Sequence, residues 1–342
     1  MNSYQRVMNT MQALPSDRVP VFAVLGAYGG KLTHTDLHTL YGDADKYVAG
    51  QVAVQNEFGL DMIMTPFDYS AIAEAFGGES AYFADQAPNM KRPAASTAEE
   101  ALALKIPLPG RTARLPVILD SARKLKEIYK DEVPLFAPIP GPCAMAVMMM
   151  GLEAWMDTIL FDYPSALRLL EHSGIFFESW ANALLDAGAA GLVVTESMAS
   201  SEISTRSLFA EKMIPHIKTV FAQVHGPIVF HHGGGRIQHV LDLLPSLPNV
   251  VGAVIGSKDN LTEARKRVGS KLLLIGNLDN LSFPKTDAAA IFDKSTACLE
   301  EAAPGGPFIL ANSAADIPLS SHPDTIHAMR EASISRSLGK IK

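Results

Sequence analysis

The strongest constraint on this chain is a series of short, almost wholly apolar runs, each closed by a polar or glycine-rich turn. They are VPVFAVL (Val19–Leu25), LDMIMTPF (Leu60–Phe67), VPLFAPIPGP (Val133–Pro142) and AGLVVTES (Ala190–Ser197). GPIVFHHGGG (Gly226–Gly235), NVVGAVIG (Asn249–Gly256), KLLLIGNLD (Lys271–Asp279) and GPFILANS (Gly306–Ser313) complete the set. A strand without polar alternation must be covered on both faces, as in a parallel sheet flanked by helices. Amphipathic stretches lie between the runs, among them Asp43–Glu57, Ser165–Ala187, Gly235–Leu244, Leu261–Val268 and Asp287–Ala303. This alternation predicts an α/β fold, a single (β/α)8 TIM barrel. A doubly wound open sheet shares the alternation. However, GAYGGK (Gly26–Lys31), not GxGxxG, follows the first run, which weakens a dinucleotide-binding reading. No repeat, low-complexity tract or charged linker divides the 342 residues. The expectation is one domain over 1–342, with an insertion at about 77–125 between the second and third strands.

Composition narrows the function. With 36 acidic residues against 29 Lys and Arg, the net charge is −7, and no basic stripe is present to displace phosphate counterions. No nucleic-acid partner is expected. The uncharged run Val133–Leu152 contains Pro134, Pro138, Pro140 and Pro142, a spacing no single membrane helix accommodates. The N-terminal segment has no apolar signal core, so the expectation is a cytoplasmic protein without a membrane partner. Only two cysteines, Cys143 and Cys298, occur, and no disulfide framework follows from them.

A barrel of this kind carries its chemistry where the carboxyl ends of the strands open. The polar residues there are Tyr28, Asp68, Tyr69, Cys143, Glu196, His231, His232, Asn277, Asp279 and Ser313. Asp68, Glu196 and His231 are the candidate catalytic groups, and Tyr28, Tyr69, His232, Gly233, Asn277, Asp279 and Ser313 the candidate binding positions. His231 and His232 are adjacent on a strand, so only one of them faces the mouth. The glycines after them are expected to begin a helix and to offer N–H groups to an anion. Asp68 also reads as a helix N-cap, whereas Glu is a poorer cap and Glu196 the better functional acid.

Several segments carry a family resemblance: PFDYSAIAEAFG (Pro66–Gly77), PGPCAMAVMMMG (Pro140–Gly151), HHGGGR (His231–Arg236), EARKRVGSKLLLIGNLDN (Glu263–Asn280) and DIPLSSHPDTIHAM (Asp316–Met329). From about Arg18 to Glu331 the chain resembles the uroporphyrinogen decarboxylase superfamily, which also contains the corrinoid-dependent methylcobamide:thiol methyltransferases. The resemblance implies a TIM barrel in either branch. The decarboxylase branch implies arginines after the first strand to pair substrate carboxylates, where this chain has Leu25 and Gly29. The methyltransferase branch implies zinc held by an HxC pair after the fifth strand and a cysteine after the eighth. His231 matches the histidine, but Gly233 stands at the cysteine position and LANSAADIP (Leu310–Pro318) has no cysteine. A remaining metal would draw on His231 with Glu196, His232, Cys143 or His322.

The expectation is therefore a corrinoid-dependent methyltransferase, with methylcobalamin as co-substrate. A corrinoid protein would be its partner, and a thiol or tetrahydrofolate the small acceptor. A nitrogen acceptor would be served by Asp68 or Glu196 as general acid. The alternatives are a decarboxylase-like enzyme on another tetrapyrrole or small acid, and a non-catalytic corrinoid- or tetrapyrrole-binding barrel. Relatives imply a monomer or homodimer.

Overall fold

The structure is a computed structural model describing residues 1–339. Each of the eight apolar runs contains a strand of one parallel sheet: β1 (Val21–Phe22), β2 (Ile63–Met64), β5 (Leu135–Pro140), β6 (Gly191–Thr195), β7 (Ile228–His231), β8 (Val250–Val254), β9 (Leu273–Leu278) and β10 (Phe308–Asn312). β3 (Glu79–Ala81) and β4 (Asn89–Arg92) form a separate antiparallel ribbon. The order β1-β10-β9-β8-β7-β6-β5-β2, parallel throughout, is that of a (β/α)8 barrel closed except between β1 and β2.

Strand alternation divides the apolar residues into two cores. Phe22, Met64, Phe136, Val193, Val229 and Ile275 point into the barrel. Their neighbours Val21, Ile63, Leu135, Leu192, Ile228 and Leu274 pack outward beneath the helices. The helices start where capping chemistry allows. Asp43 accepts from Asp45 and Lys46 N–H at 2.8 and 3.2 Å to cap Ala44–Phe58, and Asn260 caps Leu261–Val268. The segment Gly235–Leu244, expected to be helical, instead runs as turns into a 3-10 segment, Leu241–Ser246, that contains Pro245. Proline and the preceding glycines explain the difference, since both disfavour α-helix.

The open seam between β1 and β2 is held at its foot. Asp61 donates its N–H to the Val21 carbonyl at 2.9 Å and accepts the Val21 N–H on its carboxylate at 2.8 Å. Arg6 and Arg18 neutralise that buried carboxylate at 2.7 and 2.6 Å. Higher up, β1 turns its hydrogen bonds away from β2: Val24 N–H donates to Asn312 Oδ1 at 2.8 Å, and Val24 C=O accepts from Ile317 N–H at 3.0 Å.

The expected insertion at 77–125 holds the ribbon and a short helix, Ala98–Leu102. Helix Leu115–Tyr129 begins within that range and packs against Ala44–Phe58. Among the described residues no single helix is long and apolar enough to cross a membrane. The apolar helices Pro142–Met150 and Leu152–Phe161 meet at a bend of 118°.

Candidate functional site

The barrel interior below the mouth is a small apolar cavity of about 30 Å³, walled by Phe22, Met64, Phe67, Val193, Val229 and Ile275. His231 enters it from the end of β7. Its Nδ1 accepts the Gly233 N–H at 2.9 Å, so the neutral ring carries its proton on Nε2, toward the Ala314 backbone. Burial and the neighbouring His232 hold its pKa well below the ordinary histidine value. At neutral pH this imidazole is a hydrogen-bond donor rather than a base.

His232 follows the end of β7, and its ring stacks on that of His231 with centroids 4.9 Å apart. It accepts from Gly234 N–H at 2.9 Å, and burial lowers its pKa to about 4. The two imidazoles thus occupy the glycine N–H groups that were expected to serve an anion, and no helix follows them. Glycine at 233 is required on two grounds. Its φ is +76°, and a Cβ there would lie 2.9 Å from the Ser197 Cβ.

Asp68 follows β2, is buried, and is occupied. Its Oδ1 accepts from Ser70 N–H and Oγ–H at 3.0 and 2.6 Å, and Oδ2 pairs with Arg114. Burial raises the Asp68 pKa, against the pull of Arg114 and Ser70. Burial would lower Arg114, but Asp68 and Glu74 outweigh it and raise its pKa. Arg114 also donates to Glu74 at 2.7 Å, Ser70 at 3.0 Å and Ser80 at 3.2 Å. One guanidinium thus fastens the insertion to the turn that carries Asp68. Tyr69, beside Phe67 at 4.9 Å, donates to Thr195 Oγ1 at 2.5 Å, and burial raises its pKa.

Glu196 stands elsewhere. Val193 faces the cavity, so alternation along β6 turns Thr195 inward and Glu196 outward. The fully buried Glu196 carboxyl accepts from Cys143 N–H at 2.9 Å and caps helix Pro142–Met150 from outside the barrel. Burial lifts its pKa to about 7 against those backbone N–H groups. Tyr28 is buried behind β1, with its hydroxyl on the Ser321 carbonyl at 3.1 Å. Asn277 turns outward and donates to the Gly256 and Asp259 carbonyls, each at 3.0 Å, while Cys298 Sγ lies 3.6 Å from its Oδ1. Asp279 is an exposed N-cap that accepts from Leu281 N–H at 3.1 Å. Ser313 is buried and donates its N–H to Leu278 C=O at 2.9 Å. Of the predicted set, His231 lines the barrel cavity with His232 stacked on it, Tyr69 reaches Thr195 at the end of β6, and Asp68 is tied to Ser70 and Arg114, whereas Glu196, Tyr28 and Asn277 are held outside the barrel.

Two functional candidates escaped the sequence reading. Arg114 lies 46 residues from Asp68, inside a segment with no strand signal. Asp316 follows the last strand and accepts the Ala27 N–H at 3.0 Å, and burial pushes its carboxyl up to about 6. The DIP triplet after a polar strand end was the available signal for it.

The donor set does not fit zinc. His231 Nδ1 and the Glu196 carboxyl are committed to backbone N–H groups, and burial pushes the Cys143 thiol pKa well up, with Glu196 adding to it. His322 is exposed and paired with Asp324 at 3.3 Å. Among the described residues no three His, Cys, Asp or Glu side chains surround a common point.

The carboxyl ends of the strands in such a parallel barrel are the face at which TIM-barrel enzymes work. Residues 2–335 match the model of the uroporphyrinogen decarboxylase (URO-D) family, and the chain belongs to that family. It is 26% identical over 293 residues to a uroporphyrinogen decarboxylase of Alkalilimnicola ehrlichii, covering 80% of this chain and 78% of that one. It is 24% identical over 285 residues to the methylcobamide:CoM methyltransferase MtbA of Methanosarcina acetivorans, covering 80% and 82%. A solved methyltransferase from Methanosarcina mazei shares the fold, with a TM-score of 0.88 at 17% identity over 98% of this chain and 99% of that one. Its relatives are enzymes of either kind, methyltransferases or decarboxylases.

Proposed function

We propose that this chain is a corrinoid-dependent methyltransferase moving a methyl group between methylcobalamin, carried by a corrinoid protein, and a small acceptor, without a zinc-bound thiolate. The observation that carries this reading is the commitment of Arg114. The guanidinium that reaches the mouth is held by Asp68 and Glu74, and Leu25 and Gly29 stand at the positions expected to be arginine. A polycarboxylate tetrapyrrole would leave its charges unpaired there, which is strongly unfavourable. The methyl group needs no charge partner, and an apolar chamber suits it.

The methyl group leaves cobalt as a methyl-cation equivalent. The acceptor lone pair forms the new bond, the Co–C electron pair stays on cobalt, and an N–H or S–H acceptor releases a proton. His231 presents a neutral imidazole to the cavity, its own N–H turned to the Ala314 backbone. Asp68 is an anchor in this scheme rather than the acid, and Glu196 stabilises the helix behind the mouth. Asp316, held near 6 by burial, is the carboxyl suited to take the released proton.

The test mixes the protein with methylcobalamin and either tetrahydrofolate or a thiol, and follows the cobalt absorbance and the methylated product. In parallel, carbon dioxide release is measured with a carboxylated tetrapyrrole. Methyl loss without decarboxylation supports the reading; carbon dioxide release without methyl loss overturns it.

A further inference from the structure

The barrel cavity offers a water molecule no partner. Two polar side chains reach it, and both are committed. His231 is held by the Gly233 N–H and the Ala314 backbone. Asn312 accepts the Val24 N–H and donates to the Ala315 carbonyl, each at 2.8 Å. The remaining walls are apolar, Val193, Val229, Val254 and Ile275 among them. A buried water needs several polar partners, so the group this cavity suits is apolar. Its volume of about 30 Å³ leaves room for one group of about methyl size.

Phe67 marks where the cavity meets solvent. Every residue that lines it is buried except Phe67 and Ala314, which are half-buried. Among the described residues, Met11, Phe67, Ala190 and Val251 are the half-buried apolar side chains packed against the inner core of the barrel. Three of them sit at the amino-terminal ends of the strands: Ala190 just before β6, Val251 at the start of β8, and Met11 in the same groove as Val251. Phe67 lies at the other end, just past β2. It is also held in place. The Tyr69 ring lies against it at 4.9 Å, and the Tyr69 hydroxyl is fixed on Thr195 Oγ1 at 2.5 Å. Asp68, between the two in sequence, is tied to Ser70 and Arg114. The turn is thereby pinned on both sides, and the Phe67 ring is a fixed wall of the entrance.

We infer that Phe67 sets the size of the group this cavity admits: one methyl-sized apolar group enters, and ethyl or longer chains are rejected. The identity of that group as the methyl in transfer rests on the proposed function, which the filter deepens. An ethyl group would travel by the same step. The Co–C electron pair stays on cobalt, the acceptor lone pair forms the new C–N or C–S bond, and the acceptor proton is released. The extra carbon, however, competes for space with the Phe67 ring. One methylene in an apolar pocket discriminates about 10–200-fold.

Two measurements on the full chain test this, and the first needs no turnover. Under xenon pressure, the ε-methyl NMR signals of Met62 and Met64, which line the cavity, report an apolar atom entering it. Phe67→Ala should show severalfold larger shifts than wild type at those two methionines; equal shifts overturn the inference. The second compares methylcobalamin with ethylcobalamin as donors to tetrahydrofolate or a thiol. The ethyl-to-methyl rate ratio should rise about tenfold or more in Phe67→Ala and by less in Phe67→Leu. Thermal melting checks folding, and Phe67→Leu carries both measurements if Phe67→Ala fails to fold. Methyl transfer with an unchanged ratio would refute the size filter and leave the transferase reading intact. Xenon shifts that depend on Phe67, without any methyl loss from cobalt, would keep the filter and refute that reading.

Discussion

Replacing Arg114 with Met separates an anchoring Asp68 from a reactive one. The substitution keeps much of the side chain's length but removes the cation from a carboxylate whose side chain is 1% exposed. Breaking a buried pair by deleting one partner costs about 3–5 kcal/mol, because the remaining charge is left buried and unpaired. Unfolding entropy of about 2.1 cal/mol/K per residue over 342 residues makes 1 kcal/mol worth about 1.4 °C, so Tm should fall by about 4–7 °C. The loss should depend on pH in a defined direction. Burial already raises the Asp68 pKa, and without Arg114 nothing opposes it except Ser70. A carboxyl whose folded pKa is raised penalises folding above that pKa and is relieved as pH falls. The deficit should therefore be larger at pH 8 than at pH 5. Adding Asp68→Asn to the Arg114→Met protein should recover part of it. Calorimetric melts of the two single variants and the double variant at both pH values form the cycle. Strictly additive, pH-independent losses would refute the pair and return Asp68 to the list of free acids.

Three further outcomes follow from the same geometry. Glu196→Gln should flatten the pH dependence of stability. With its folded pKa raised to about 7, Glu196 contributes fully near pH 4.5 and loses that contribution as pH rises through 7; chemical denaturation across pH 4.5–8 reads this, and an unchanged slope argues against a buried neutral acid. Gly233→Cys should destabilise the chain by about 1–3 kcal/mol, the range for a non-glycine residue in strained backbone, and should bind no stoichiometric zinc; a stable, zinc-loaded variant would show that the loop can hold the metal after all. His231→Ala should lower methyl transfer by about tenfold or more, as expected when the cavity wall loses a side chain fixed by hydrogen bonds to Gly233 and Ala314, while circular dichroism stays unchanged. Turnover equal to wild type would remove His231 from the site.

Much of the fold was legible because its signal is local. Each apolar run holds a strand, and a fully apolar strand can only be covered on both sides. The inward direction of His231 was half-legible: the inward position of Val229 sets the parity of β7, but His232 lies past the strand end and stacks on His231 instead of facing away. The same count along β6 turns Glu196 outward, so its misplacement came from reading residue type before strand parity. Asn277 shows where that count stops, since its amide leaves the strand pattern to reach Gly256 and Asp259. Arg114 and Asp316 were not legible because their partners lie at long range: Arg114 meets Asp68 across the insertion, and Asp316 meets Ala27 across 289 residues. Neither pairing leaves a periodic trace. Even the glycines changed meaning, as their N–H groups serve the imidazoles beside them.

The most direct test of a zinc-free methyl transfer is anaerobic turnover of methylcobalamin with tetrahydrofolate, measured on protein purified with and without a strong zinc chelator. The methyl group should be lost at the same rate in both preparations, with methylated folate formed in equal amount. Activity that disappears with chelation and returns on adding zinc would contradict it.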